Sequence, residues 1–303
     1  MELKIWDIKV EKLIDDFEEY TRYLDEKIQQ KLIKLIATLD SSGGKLTSQA
    51  LGKIYDQIDT IFRSEFKTGN YKAELEKMHG LVDAIIMANV EIHRKYNKLE
   101  LKAQELNKIN GLQVYKERVV NGLSSAGMVE HVIIPMKLLI NTAVTQGMGM
   151  TALMHEFEGL FKNGNTSRFV AINGRSLLSW TRQVANDTTN AVNGTIQTHL
   201  RDKYDLQGGR YIGNLIRDSR PFCKHMINDE KYPMDNETLD KVLKQYVGNK
   251  TKIQVGWNEN GTAKMLPKGA GMYAETNTRN FPVVVGGYNC RHRWFAMRLE
   301  NKK

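Results

Sequence analysis

Cysteine and proline are scarce in this sequence. Its 303 residues hold two cysteines and five prolines, and none of those prolines falls in the first 110 positions. Two cysteines in a chain without a secretory signal argue for a reducing compartment. No such signal is expected, because the start, Met1-Glu2-Leu3-Lys4-Ile5-Trp6-Asp7, is charged at once. Long uncharged apolar runs are also missing. The most apolar region, from Val129 to Met154, is interrupted by Glu130, His131 and Lys137 and reads as a buried helix, not a membrane span. Familiar catalytic signatures are missing too: there is no nucleophile elbow, Walker loop, dinucleotide fingerprint or His-Glu-x-x-His. The chain is therefore expected not to be an enzyme. Cysteine catalysis at Cys223, with His225 or His292 as base, stays as a formal alternative.

What is present begins with positive charge. A net charge of +9 and a pI near 9.3 suggest an anionic neighbour, either nucleic acid or an acidic protein surface. The basic tail offers Arg291, Arg293 and Arg298 as nucleic-acid contacts. Along the N-terminal half, however, lysines alternate with glutamates, which is also the pattern of a solvated helix face.

Apolar residues recur at three- and four-residue steps over 9–40 (Val10, Leu13, Ile14, Phe17 and onward to Ile36), which predicts one long helix. Ser41-Ser42-Gly43-Gly44 breaks it. A second helix starts near Thr47 or Ser48, and a third is expected from Tyr71 through Leu106. His79 and His93 are lone helical histidines, a type far more often exposed or internally satisfied than metal-bound. Further helices are predicted over 112–123, through 132–144, over 152–161 and over 176–200. The last of these is polar. Arg182, Asn186, Asn190 and Asn193 share one of its faces, either as a hydrogen-bond network against neighbouring loops or as a solvated face. After Gln207-Gly208-Gly209 the character changes: a strand over 210–216, a short helix over 235–247 capped by Asp235 or Asn236, and a hairpin pairing 253–257 with 262–266. The expected fold class is α+β: long antiparallel helices over the N-terminal two thirds, then a small mixed β-rich module. The expected divisions are 1–110, a helical docking region; 111–206, a second helical part; and 207–303, the β-rich module.

Both cysteines sit in the same arrangement, Cys223-Lys224-His225 and Cys290-Arg291-His292. In extended chain, residues i and i+2 face the same side, so each pair is expected to point at one place. Cys223, His225, Cys290 and His292 are thus a candidate tetrahedral set for a structural zinc ion. A disulfide, or two buried thiols with histidines bonded nearby, accounts for the same residues.

Three strings carry a resemblance: Trp180-Thr181-Arg182-Gln183-Val184-Ala185-Asn186, then Asp218-Ser219-Arg220-Pro221-Phe222-Cys223, and Gly286-Gly287-Tyr288-Asn289-Cys290-Arg291-His292. Over about residues 112–297 the chain resembles the phage Mu F-like minor head proteins, the phage head morphogenesis family. Many members have Cys-x-x-Cys in the first element and Cys-x-Cys in the second; here Lys224 is followed by His225 in the first, and His292 replaces the last cysteine of the second. The resemblance implies a structural minor head protein of a tailed bacteriophage, lying inside the capsid near the portal and passing through the host cytoplasm during assembly. It implies a role in head assembly or in DNA packaging and ejection. Its partners would be the portal protein, other capsid-interior or ejected virion proteins, and packaged double-stranded DNA. A structural network of Arg182, Asn186, Asp218 and Arg220 is expected with it. The alternatives are a cysteine-dependent enzyme or toxin-like module, and a free-standing nucleic-acid-binding protein.

Overall fold

The computed structural model describes residues 6–40, 48–67, 70–146, 148, 150–163, 176–213, 215, 219–228, 233–247, 252–257, 263–267, 272, 275–286 and 290–299. A π-helical turn, Asp7–Glu11, leads into α1 (Lys12–Asp40), α2 (Ser48–Lys67) and α3 (Asn70–His79). Next come α4 (Leu81–Asn97), α5 (Ala103–Asn107), α6 (Leu112–Gly122) and α7 (Ser125–Met128). A second π-helical turn, Val129–Ile133, precedes α8 (Ile134–Thr145), α9 (Met150–Asn163) and the long α10 (Leu177–Tyr204). The remainder is β1 (Gly208–Ile212), α11 (Pro221–Asn228), β2 (Met234–Asp235), α12 (Asn236–Tyr246), β3 (Lys252–Trp257), β4 (Ala263–Pro267), α13 (Phe281–Val284) and β5 (Arg293–Met297). The fold is therefore mainly helical with a small β-containing C-terminal region, as the sequence patterns indicate. Among the described residues no single helix is long and apolar enough to cross a membrane.

The single helix expected over 71–106 is interrupted. Gly80 leaves the helix, its N–H bonding Lys77 O at 3.0 Å, and α4 restarts at Leu81. Glycine in a helix interior costs about 1 kcal/mol relative to alanine, so a break there is cheap. The helix stops again at Asn97 and resumes at Ala103. The segment around Cys223 is a further departure. Pro221 fits a first helical turn, where its missing N–H has no partner to lose, and Pro221–Asn228 is helix, not extended chain.

Two compact units form, each discontinuous in sequence: Glu11–Gly80 with Lys116–Ala185, and Met1–Val10 with Leu81–Tyr115 and Asn186–Lys303. The divisions expected at 110 and 206 follow chain order, whereas these units interleave.

In the first unit the apolar stripes lie inside. Ile14, Phe17, Leu24, Ile28 and Leu32 of α1 are buried, as are Ile54, Ile58 and Phe62 of α2 and Met136, Leu139 and Ile140 of α8. Burying each such side chain contributes roughly 1.5–3 kcal/mol. A polar seam runs through this core. Arg182 donates from Nε and Nη2 to Glu18 Oε2 at 3.0 and 2.9 Å. Asp25 accepts the Leu178 N–H at 3.2 Å, capping the start of α10 from another helix. Burial raises the Asp25 carboxyl to about 7, although the Leu178 and Leu177 amides and the Ser176 hydroxyl work against that rise.

The second unit is built on a three-stranded antiparallel sheet in the order β2-β1-β5, with β3 and β4 pairing separately as a hairpin. β1 and β5 align Gly208 with Met297 and Ile212 with Arg293. Alternate backbone groups of β5 therefore face away from β1, and side-chain amides meet them. Asn193 Nδ2 donates to Trp294 O at 3.0 Å, and Gln197 Oε1 accepts the Ala296 N–H at 2.8 Å. Asn97 Nδ2 donates to Ala296 O at 2.9 Å while its Oδ1 accepts the Arg298 N–H at 3.0 Å. Buried backbone groups need such partners, and here side chains replace a fourth strand.

These bonds fix the groups behind them. With Asn97 Oδ1 committed to Arg298, its Nδ2 must donate to His93 Nδ1, 2.7 Å away. The His93 proton then sits on Nε2 and is donated to Gln197 Oε1 at 3.0 Å. Gln197 Nε2 donates to Asn89 Oδ1, and Asn89 Nδ2 donates to Asn193 Oδ1 at 3.1 Å. His93 is thus a satisfied core histidine, and burial lowers it to about 4.

Candidate metal centre

The centre stands where β1, α11 and the entry to β5 converge. Tyr211 projects from β1 and Cys223 from α11, while Cys290 and His292 precede β5. Phe222, Phe281 and Trp294 pack around the buried Tyr211, and the ring of Tyr211 stacks on His292 at 5.2 Å between centroids. Two bonds hold the Cys290 end. Asn190 Nδ2 and Arg293 Nη1 both donate to Cys290 O, at 2.7 and 2.9 Å, and Arg293 Nη1 also reaches His292 O at 3.0 Å. Arg220 Nη1 donates to Gly286 O at 2.9 Å, tying the start of α11 to the turn after α13.

Both cysteines are free thiols, each 2% exposed, with their sulfurs 4.0 Å apart. That is about twice the length of a disulfide bond. Cys290 Sγ lies 3.6 Å from His292 Nδ1. Tyr211 Oη is 3.3 Å from Cys223 Sγ and 3.2 Å from Cys290 Sγ. The two thiols do not ionise alike. A hydrogen bond from Cys223 and the neighbouring His292 hold Cys290 well below the usual thiol range, while Cys223, bonded to Cys290 and buried, is pushed up. One negative charge is favoured at the pair and a second is opposed. Burial, with the two thiols beside it, also drives the Tyr211 phenol upward.

Cys223, Cys290 and His292 bring their ligand atoms within 4.8 Å of one another and can hold a metal ion. Two features fit one, with His292 Nδ1 as the donor nitrogen. Ligands bonded at about 2.0–2.3 Å around a tetrahedral ion lie roughly 3.3–3.8 Å apart, close to the separations of 3.6 and 4.0 Å found here. Gly286 leaves its side-chain position empty against the cluster, because a Cβ there would lie 2.7 Å from Cys290 Sγ and 2.9 Å from Cys223 Sγ. The preceding residue, Val285, adopts φ 38°, an unfavourable backbone for a β-branched side chain. Its burial and its N–H bond to Phe281 O, at 2.7 Å, hold it there.

Several expectations are corrected. His225 does not join the cluster. Two residues along a helix turn it roughly 200° away from Cys223, and its Nδ1 meets Tyr246 Oη at 3.1 Å. Arg293 is not a surface contact for nucleic acid, being 1% exposed and bonded to backbone carbonyls. Arg291 and Arg298 are exposed. Of the expected network of Arg182, Asn186, Asp218 and Arg220, Arg182 bonds Glu18, Arg220 bonds Gly286, and Asn186 Oδ1 accepts from Arg293 Nη2 at 3.5 Å, while Asp218 lies outside the described residues. Asn186, Asn190 and Asn193 are buried, so that face of α10 is a network and not a solvated surface. Sequence reasoning missed Tyr211, since nothing in the spacing of a single strand tyrosine marks it. Comparison with family models, curated proteins and solved structures finds no match to this chain.

Proposed function

We propose that this chain is a structural minor head protein of a tailed bacteriophage, associated with the portal inside the capsid and serving head assembly and the packaging and ejection of DNA. One observation carries the reading beyond the resemblance itself. Two of the three motif strings that carry the resemblance meet in space, through Arg220 to Gly286 O and Cys223 to Cys290, and bury both thiols in a clasp. A clasp suits a protein whose task is to keep its shape in an assembly. A cysteine enzyme needs a nucleophile that substrate can reach, and thiols 2% exposed do not offer one.

The ion that fits the clasp is zinc, held by Cys223, Cys290 and His292. Thiolates and imidazole favour it, and a buried site makes its contribution one of stability. Contact with packaged DNA falls to Arg291 and Arg298 and is non-specific, hence salt-sensitive.

Immunodetection in density-purified virions, before and after external protease, tests the assignment. The chain is expected in the particles at low copy number, protected by the shell and co-purifying with the portal after disruption. Its absence from particles would overturn the reading. Elemental analysis of the purified chain tests the zinc separately.

A further inference from the structure

With His225 turned toward Tyr246, the clasp has three donors where a closed zinc site has four. We propose that the phenol oxygen of Tyr211 is the fourth, so that the site is a closed set of two cysteines, one histidine and one tyrosine for a zinc-class divalent cation. This rests on reading the cluster as a metal site and adds to it which residue completes the shell.

The geometry argues for it at three points. Tyr211 Oη lies 3.3 and 3.2 Å from the two sulfurs, so the three atoms form a triangle of the size an ion would span. A Cβ built on Gly286 would lie 2.7 Å from Tyr211 Oη, 2.7 Å from Cys290 Sγ and 2.9 Å from Cys223 Sγ. The three donors therefore face one common point, and the residue opposite them is the one that carries no side chain. Finally, the phenol cannot swing away. Its ring is fully buried, stacked on His292 and on Phe281 and met edge-on by Phe222 at 5.6 Å, and the β1–β5 register fixes its Cα opposite Trp294. The competing account makes Tyr211 a hydrogen-bond donor to the sulfurs that never touches the ion.

Anaerobic titration of the metal-free full chain with Co²⁺ separates the two, since cobalt reports its ligands in its visible bands. The unmodified chain is expected to show tetrahedral d–d bands with thiolate charge transfer. Tyr211→Phe is expected to shift those bands and weaken Co²⁺ binding by more than the roughly 10–100-fold loss typical of removing an outer-shell partner alone. His225→Ala is expected to leave both unchanged. Circular dichroism of metal-free Tyr211→Phe checks that it is folded. Should it fail to fold, the unmodified chain serves: loading with Zn²⁺ is expected to produce a metal–phenolate difference band in the ultraviolet. Superimposable Co²⁺ bands and equal affinity in a folded Tyr211→Phe, or no phenolate band on Zn²⁺ loading, would overturn the role of Tyr211 alone. No Co²⁺ uptake by the unmodified chain would overturn the metal reading together with it.

Discussion

The amide ladder along the outer edge of β5 and the thiol cluster at its entry bury polar atoms to similar depth, yet they are completed differently. In the ladder, Asn97, Asn193 and Gln197 meet the backbone of β5, and Asn89 and His93 close the bonds behind them. The cluster gathers two thiols, a phenol and an imidazole whose Nε2 has no partner among the described residues. A set of groups that satisfy one another holds structure in place and has no room for anything else. Soft donors that face one point, with a glycine opposite them, have room for an ion. The difference teaches where to look for chemistry inside a buried polar interior: at the place where soft donors converge and no side chain fills the space between them.

The largest effect is expected from breaking the ladder. Asn97→Leu removes the acceptor of the Arg298 N–H and the donors to Ala296 O and His93. Unsatisfied buried groups cost about 1–3 kcal/mol each, so a loss on the order of 4 kcal/mol is expected in urea unfolding, the same with or without added zinc. Gly286→Ala is the matching break in the cluster. Overpacking of this kind costs about 1–3 kcal/mol, and metal uptake should disappear because the new methyl stands against three of the donors. If Gly286→Ala takes up Zn²⁺ like the unmodified chain, the cluster is no more a metal centre than the ladder is.

Next in size are two pH effects of opposite sign. His93 is lowered to about 4 in the fold, below the value near 6.5 of a free histidine. The unfolded chain binds the extra proton, so the ladder's stability is full above about pH 6.5 and is lost as pH falls toward 4, by on the order of 3 kcal/mol. Asp25 is raised to about 7, above the unfolded value near 3.9. There the folded chain holds the extra proton, so stability is lost as pH rises through 7. Urea midpoints between pH about 4 and 8 are expected to show Asp25→Asn gaining stability at the alkaline end and falling more steeply at the acid end. Parallel curves for Asp25→Asn and the unmodified chain would show that the buried carboxyl carries no such cost. The smallest effect is expected at His225, whose Nδ1 meets the half-buried Tyr246 hydroxyl. His225→Ala should cost no more than about 1 kcal/mol, and metal content measured by elemental analysis should be unchanged.

Much of the helical fold was legible in the sequence because long amphipathic stripes have few other solutions. α1, α2 and α10 fall close to their expected limits. The break at Gly80 was not, because the apolar period continues across it. Three of the four residues expected at the centre do meet: Cys223, Cys290 and His292. His225 was misread because an eight-residue helix with proline at its start carries too little periodicity to distinguish it from extended chain. The stripe of Asn186, Asn190 and Asn193 announced a polar face on α10, but what it faces is set by pairing across about a hundred residues, which no local pattern encodes. Arg293 shows the limit of reading charge as exposure. Its guanidinium is held inside by the carbonyls of Cys290 and His292.

The amides along β5 have a consequence for self-association. An open strand edge is a template on which another chain can add a strand, and proteins held at high local concentration are most exposed to that hazard. Here the edge beyond β5 is already occupied by Asn97, Asn193 and Gln197, and the opposite edge, β2, is only two residues long. Among the described residues, the three-stranded sheet is thereby closed along β5 by side chains and presents only a two-residue strand at its other edge, so it offers a neighbouring copy little edge to extend.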